Sequence, residues 1–232
     1  SRGLSPYGFP LWGKLSPQVT DEGVLAGQLP LIRRIRATFP QRGKAFLHRI
    51  VILHSDFPPR GISMILTPEY VFRRIESITP EFLAQHGITA LVLDVDNTLT
   101  ADGSQVLDDS VRQWLDTMRA AGVSLTIVSN NTDKRVRPFA QRVGLAYVPL
   151  ACKPFSLGLR VARRRLGVAK SQMAMVGDQI FTDRLAAGLY GIPCLFLLPR
   201  TPHDKNRVVR LKRKFEPYWL NKFYRNGGKI YE

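Results

Sequence analysis

The sequence predicts an α/β fold, a parallel sheet flanked by helices, over residues 64–199, and three observations predict it. Short apolar runs recur at 90–93, 124–128, 146–148, 173–176 and 194–198. Helical patterns separate them near 109–120, 133–143, 154–166 and 181–190. The intervals between the runs are those of crossover connections rather than hairpins. Together they give five strands and four crossovers. In such a sheet the ligand crevice lies at the carboxyl ends of the strands, so chemistry is expected just after each run.

The elements follow in order. Residues 1–63 carry scattered prolines (Pro6, Pro10, Pro17, Pro30, Pro40, Pro58, Pro59), several glycines and no sustained period, which predicts a basic extension with little regular structure. Only 31–37 and 45–53 show local pattern there. Met64 is the first methionine and regular sequence begins after it, so the core is expected to start at that residue, with the upstream stretch either outside the native protein or a basic tethering arm. Pro68 and Pro80 each suit a helix first turn, the second with Thr79 as its cap. Pro154 suits a helix first position as well.

The 232 residues carry a formal charge of +16, distributed as +6 over 1–63, +3 over 64–199 and +7 over 200–232. Charge concentrated in the flanks points to an anionic surface, a membrane leaflet or a nucleic acid, rather than to a small substrate. No apolar run approaches the roughly 18–20 residues of a spanning helix, so the expectation is a cytoplasmic protein, peripheral on the inner face of a membrane. Cys152 and Cys194 have no metal-ligand spacing and read as reduced thiols.

Four groups of polar residues stand directly after strands. Asp94-Val95-Asp96-Asn97-Thr98 follows the first. A calcium loop of the helix-loop-helix kind needs Gly at its sixth position and Glu at its twelfth, where Leu99 and Gln105 stand. A catalytic pair and loop residues remain open at this point. Ser129-Asn130-Asn131-Thr132 follows the second strand, and its hydroxyls and amides make either a phosphate cradle or a helix cap. Lys153 comes after the third. Gly177-Asp178-Gln179-Ile180-Phe181-Thr182-Asp183 follows the fourth, and Asp178 beside Asp94 would crowd like charges into one crevice. A divalent cation held by oxygens, Mg²⁺ above all, resolves that repulsion.

In this order and placement the four groups resemble the haloacid dehalogenase (HAD) superfamily. The resemblance implies a Rossmann-like core, Mg²⁺ as cofactor, Asp94 as nucleophile, Asp96 as general acid and base, and Lys153 as charge stabiliser. It further implies Thr98, Ser129, Asn130 and Lys153 as phosphate ligands. The metal would be held by Asp94, the main-chain carbonyl of Asp96 and Asp178, with Asp183 orienting them. The second Asp of the first group favours a phosphatase over a dehalogenase. Only 35 positions separate Asp94 from Ser129 and 24 separate Ser129 from Lys153, which leaves no room for a cap domain. Runs at 78–99, 129–131, 152–154 and 177–183 resemble more closely the YqeG family of type IIIA phosphatases, which is similar to the mitochondrial phosphatidylglycerophosphate phosphatases. A phosphorylated lipid substrate is therefore expected, and a homo-oligomer is compatible with an open site.

The tail adds Val208, Leu211, Phe215, Trp219 and Phe223 at helical spacing among Arg207, Arg210, Lys212, Arg213 and Lys214, with Pro217 breaking or kinking the helix near Glu216. This basic amphipathic segment of 200–232 suits an anionic membrane surface, or packing on the domain. Alternatives are a soluble phosphatase of nucleotides, sugar phosphates or nucleic-acid ends, with Tyr218, Trp219 and Tyr224 for base stacking, and a catalytically silent binding module.

Overall fold

The computed structural model describes residues 62–101, 103–200 and 207–232. The expectations for residues 1–61 lie outside the described residues. Helix α1 (Ile62–Leu66) precedes strand β1 (Tyr70–Phe72), and α2 (Pro80–Gln85) precedes β2 (Ala90–Leu93). Three crossover units follow: α3 (Asp109–Ala120) to β3 (Ser124–Val128), α4 (Asp133–Val143) to β4 (Ala146–Val148), and α5 (Leu157–Leu166) to β5 (Met173–Gly177). Then come α6 (Leu185–Tyr190), β6 (Cys194–Leu197), α7 (Arg207–Arg213), α8 (Glu216–Arg225) and β7 (Ile230–Tyr231).

The seven strands form one parallel sheet in the order β4-β3-β2-β5-β6-β1-β7. Strands β2, β5 and β6 are buried along their whole length, which is why they read as continuous apolar runs rather than alternating ones. Helices cover the faces through regular stripes. In α3, Val111, Trp114, Leu115 and Met118 are buried, and the Trp114 indole N–H donates to the Ile78 carbonyl at 2.8 Å. Thr79 caps α2 as expected, its Oγ1 accepting from the Phe82 N–H at 3.2 Å, with Pro80 in the first turn.

Three local expectations differ from the structure. Pro68 starts no helix but leads into β1, which slots between β6 and β7. Helix α5 begins at Leu157 rather than Pro154, because the main chain of Lys153 is held at both its N–H and its carbonyl by Asn130. The helix expected over 181–190 opens with a π-helical turn, Ile180–Arg184, in which the Gln179 carbonyl accepts from the N–H groups of both Asp183 and Arg184. The tail helix breaks just before Glu216, as Pro217 leads one to expect, and the tail adds an edge strand.

Helix α1 begins two residues before Met64. Arg184, 2% exposed, donates to the carbonyls of Met64 and Thr67 and to Glu69, fastening α1 to the sheet. Among the described residues no helix is long and apolar enough to cross a membrane.

Candidate active site

The chain runs outward through β2, β3 and β4 on one side of the sheet, then returns to lay β5 and β6 on the other. The reversal lies between β2 and β5, where parallel sheets open a crevice at their carboxyl ends. Asp94 follows β2, Ser129 follows β3, Lys153 stands in the loop after β4, and Asp178 follows β5. The sheet therefore gathers all four groups of residues that the sequence singles out.

The loop after β2 is built on one carbonyl. Val95 O accepts from the N–H groups of Thr98, Leu99 and Thr100 at 3.3, 2.9 and 3.1 Å, while Asn97 takes a left-handed φ of 56°, a conformation asparagine tolerates. This turn folds Thr98 inward until it is fully buried, with its Oγ1 lacking any hydrogen-bond partner. The Asp94 N–H donates to Val176 O at 3.0 Å and locks the loop to β5.

Lys153 is the electrostatic centre. Its Nζ lies 2.7 Å from Asp94 Oδ1 and 2.7 Å from Asp183 Oδ1, and all three residues are buried. Burial pushes the Asp94 carboxyl up to about 7 even though the Lys153 ammonium opposes the rise. For Lys153 burial favours the neutral form, but Asp183 and Asp94 outweigh it and hold the ammonium above its ordinary range. Asp178, fully buried, is also raised, by burial first, against the pull of Arg213.

Carboxylate oxygens of Asp94, Asp178 and Asp183 lie within 4.8 Å of one another. Asp178 Oδ1 is buried and has no hydrogen-bond partner. Three converging carboxylates, one with an orphaned oxygen, against Lys153 and Arg213 form a donor set that suits a hard divalent cation such as Mg²⁺. Gly177 makes the approach possible. A Cβ there would stand 2.4 Å from Asp183 Cγ.

The remaining expected residues take distinct positions. Ser129 is buried and its Oγ accepts from the Asn131 N–H at 3.2 Å. The Asn130 side chain is committed to Lys153, donating to its carbonyl at 2.8 Å and accepting from its N–H at 2.6 Å. It thus sets the position of the lysine. Asp96 accepts from Gly103 N–H at 3.0 Å, Asn131 Nδ2 at 2.7 Å and Arg135 Nη2 at 2.9 Å.

Sequence reasoning missed Arg135, Arg213 and Glu216 as site residues. Arg213 of α7 donates to both the main-chain carbonyl and Oδ2 of Asp178. Glu216, 4% exposed, accepts from Arg213 Nη1 and from the Ile180 N–H, each at 3.0 Å. An acid isolated in a strongly basic segment is the one sequence signal that could have found this pair.

Residues 79–191 match the family model of haloacid dehalogenase-like hydrolases. These residues form a haloacid dehalogenase-like hydrolase domain. Among curated proteins it is 29% identical over 160 residues to the "probable phosphatase YqeG" of Bacillus subtilis, an alignment covering 69% of this chain and 92% of that one. It is 24% identical over 171 residues to "phosphatidylglycerophosphate phosphatase 1, chloroplastic/mitochondrial" of Arabidopsis thaliana, covering 70% of this chain and 49% of the relative, about half its length. Among solved structures, a 4-nitrophenylphosphatase from Thermotoga maritima aligns over 50% of this chain and 89% of its own, at 14% identity and a TM-score of 0.44. The matched residues hold strands β2 to β5 and all four groups of residues at the crevice.

Proposed function

We propose that the protein is a Mg²⁺-dependent phosphomonoesterase that works through a phospho-aspartyl intermediate on Asp94, and that its substrate is a phosphorylated lipid of the phosphatidylglycerophosphate kind. The observation that carries the catalytic part is Lys153 bridging Asp94 and Asp183 beside a fully buried Asp178 with a vacant oxygen.

Asp94, Asp178 and the main-chain carbonyl of Asp96 would hold Mg²⁺, which supplies charge neutralisation for the transferring phosphoryl group. In the first half-reaction a carboxylate oxygen of Asp94 forms a bond to phosphorus while the bond to the leaving alcohol oxygen breaks, and Asp96 gives that oxygen its proton. In the second, water attacks phosphorus, Asp96 takes its proton, and the Asp94–phosphorus bond breaks to release inorganic phosphate. Lys153 holds the nucleophile in place and neutralises the phosphoryl oxygens. Ser129 Oγ and Thr98 Oγ1 are the nearby hydroxyls for those oxygens. Hydrogen bonds from Gly103, Asn131 and Arg135 fix the orientation of the Asp96 carboxyl.

Two features support a lipid substrate. One is the likeness to the Arabidopsis phosphatidylglycerophosphate phosphatase. The other is the outer face of α7 and the start of α8, where Val208, Leu211, Phe215 and Tyr218 are exposed alongside exposed Arg210 and Lys214. Apolar insertion plus positive charge is the pairing that gives reversible attachment to an anionic leaflet. The deciding experiment compares release of phosphate from phosphatidylglycerophosphate in mixed micelles, from nucleotides and sugar phosphates, and from a 5′-phosphorylated oligonucleotide. Mg²⁺-dependent turnover of the lipid at least tenfold above the others, abolished by Asp94→Asn, is the expected result. Preference for a soluble substrate would overturn the lipid reading, and full turnover by Asp94→Asn would overturn the mechanism.

A further inference from the structure

We infer that Arg213, carried by the C-terminal helix α7, is a positioning residue for the metal ligand Asp178, so that the tail is a working part of the active site. The inference rests on the metal reading above and deepens it.

Charge compensation at the site is divided. Lys153 forms ion pairs with Asp94 and Asp183. Asp178, equally buried, is compensated instead by Arg213, whose side chain is 15% exposed. Arg213 grips Asp178 twice, through its Oδ2 and its main-chain carbonyl, which are two acceptors of one residue. A planar guanidinium can span such a pair, and doing so restricts rotation of the carboxylate. The clamp leaves Oδ1 as the buried oxygen without a partner.

The clamp is itself held. Glu216 binds Arg213 through Oε2 and the Ile180 N–H through Oε1. Ile180 opens the π-helical turn that carries Asp183. One buried carboxylate therefore ties the arginine to the same loop that bears two of the three clustered acids. A carboxylate so fixed by a partner beyond the cation meets it with less loss of freedom, and removing partners of this kind typically costs 10–100-fold in metal affinity.

The test measures Mn²⁺ binding to the full chain, following free Mn²⁺ by electron paramagnetic resonance, with melting temperature recorded for each variant. Arg213→Gln is expected to raise the Mn²⁺ Kd about 10- to 100-fold. Arg213→Lys keeps the charge but loses the fork, so it should fall between the two; it also carries the test if the glutamine variant does not fold. Glu216→Gln should raise the Kd by a smaller factor. Unchanged or tighter Mn²⁺ binding in both arginine variants, with Asp178→Asn still impaired, would overturn the inference and leave the metal reading standing. Tighter binding would mark Arg213 as a competitor of the cation. Absence of saturable Mn²⁺ binding by the parent protein would overturn both.

Discussion

Replacing Asp94 by asparagine should stabilise the metal-free protein, and increasingly so as pH rises from about 4 to about 7. Burial lifts the Asp94 carboxyl from an ordinary 3.8 to about 7. In the unfolded chain the same group ionises near 4, so between about pH 4 and about pH 7 the folded state holds a proton that the unfolded state has lost. Stability must then fall as pH rises through that window and level off above it. A shift of this size corresponds to about 4 kcal/mol at full ionisation, an order-of-magnitude figure for a buried, interacting carboxylate. For a domain of this length that is on the order of 10 °C in melting temperature. Asp178 and Glu216 are shifted in the same direction, burial being the main cause in each, and add their own decline. The raised Lys153 keeps its contribution throughout, because that is lost only as pH climbs above the ordinary lysine range.

The comparison of parent with Asp94→Asn isolates the one group. In EDTA, the asparagine variant should melt higher at pH 8 by on the order of 10 °C, and at pH 5 by roughly a third of that difference. Saturating Mg²⁺ should remove most of the advantage, since a ligand of the folded state stabilises only the chain that binds it. A difference that is constant from pH 5 to pH 8, or that grows on acidification, would refute the assignment of a strained, desolvated carboxylate at position 94.

Other outcomes follow from the same geometry. Lys153→Met should lower kcat by about 10²-fold or more, as loss of one preorganised charge-stabilising donor does, and phosphate release from 4-nitrophenyl phosphate measures it. Gly177→Ala should destabilise by about 1–3 kcal/mol and weaken Mn²⁺ binding, because its Cβ would collide with the Asp183 carboxylate; a normal melt with normal binding would refute the close approach. A chain begun at Met64 should melt cooperatively and keep its turnover of a soluble ester, whereas an insoluble or inactive product would place the boundary upstream, within or before α1. Arg210→Gln with Lys214→Gln should weaken binding to phosphatidylglycerol vesicles at low salt and leave soluble-ester hydrolysis unchanged, with equal co-sedimentation as the contrary result.

Strands buried on both faces, as in Ala90–Leu93 and Cys194–Leu197, are legible because burial forces an unbroken apolar run, while Ala146–Val148, of which only Val148 is buried, is legible from its place between two helical patterns. The two missed strands are short and lie outside that alternation of strand and helix. Tyr70–Phe72 has three residues and Ile230–Tyr231 two, and each is defined by its partner rather than by its own pattern. Site residues divide the same way. Asp94, Asp96, Ser129, Lys153 and Asp178 stand at strand ends, where local sequence marks the position. Arg135 and Arg213 reach Asp96 and Asp178 from helices 39 and 35 positions away in the chain. No spacing within a basic helix distinguishes the arginine that turns inward from those that stay in water.

That last point changes how the charge of the tail must be apportioned. As a sequence, Lys212, Arg213 and Lys214 form one basic run available to an anionic surface. In the fold the run is split by direction. Arg213 is bound to Asp178 and Glu216, and burial lowers the Lys212 ammonium against the opposing pull of Asp183 and Glu216. Lys214 is exposed with Arg210, beside the apolar side chains of Val208, Leu211, Phe215 and Tyr218. Neutralising all three residues would therefore disturb Asp178 and the outer surface together, and a loss of activity on lipid would not reveal which had failed. Substitutions confined to Arg210 and Lys214 probe only the surface, and those confined to Arg213 only the ligand. Because one short helix carries both sets, attachment of its outer face to a bilayer would bring the crevice within a helix diameter, about 10 Å, of the lipid headgroups.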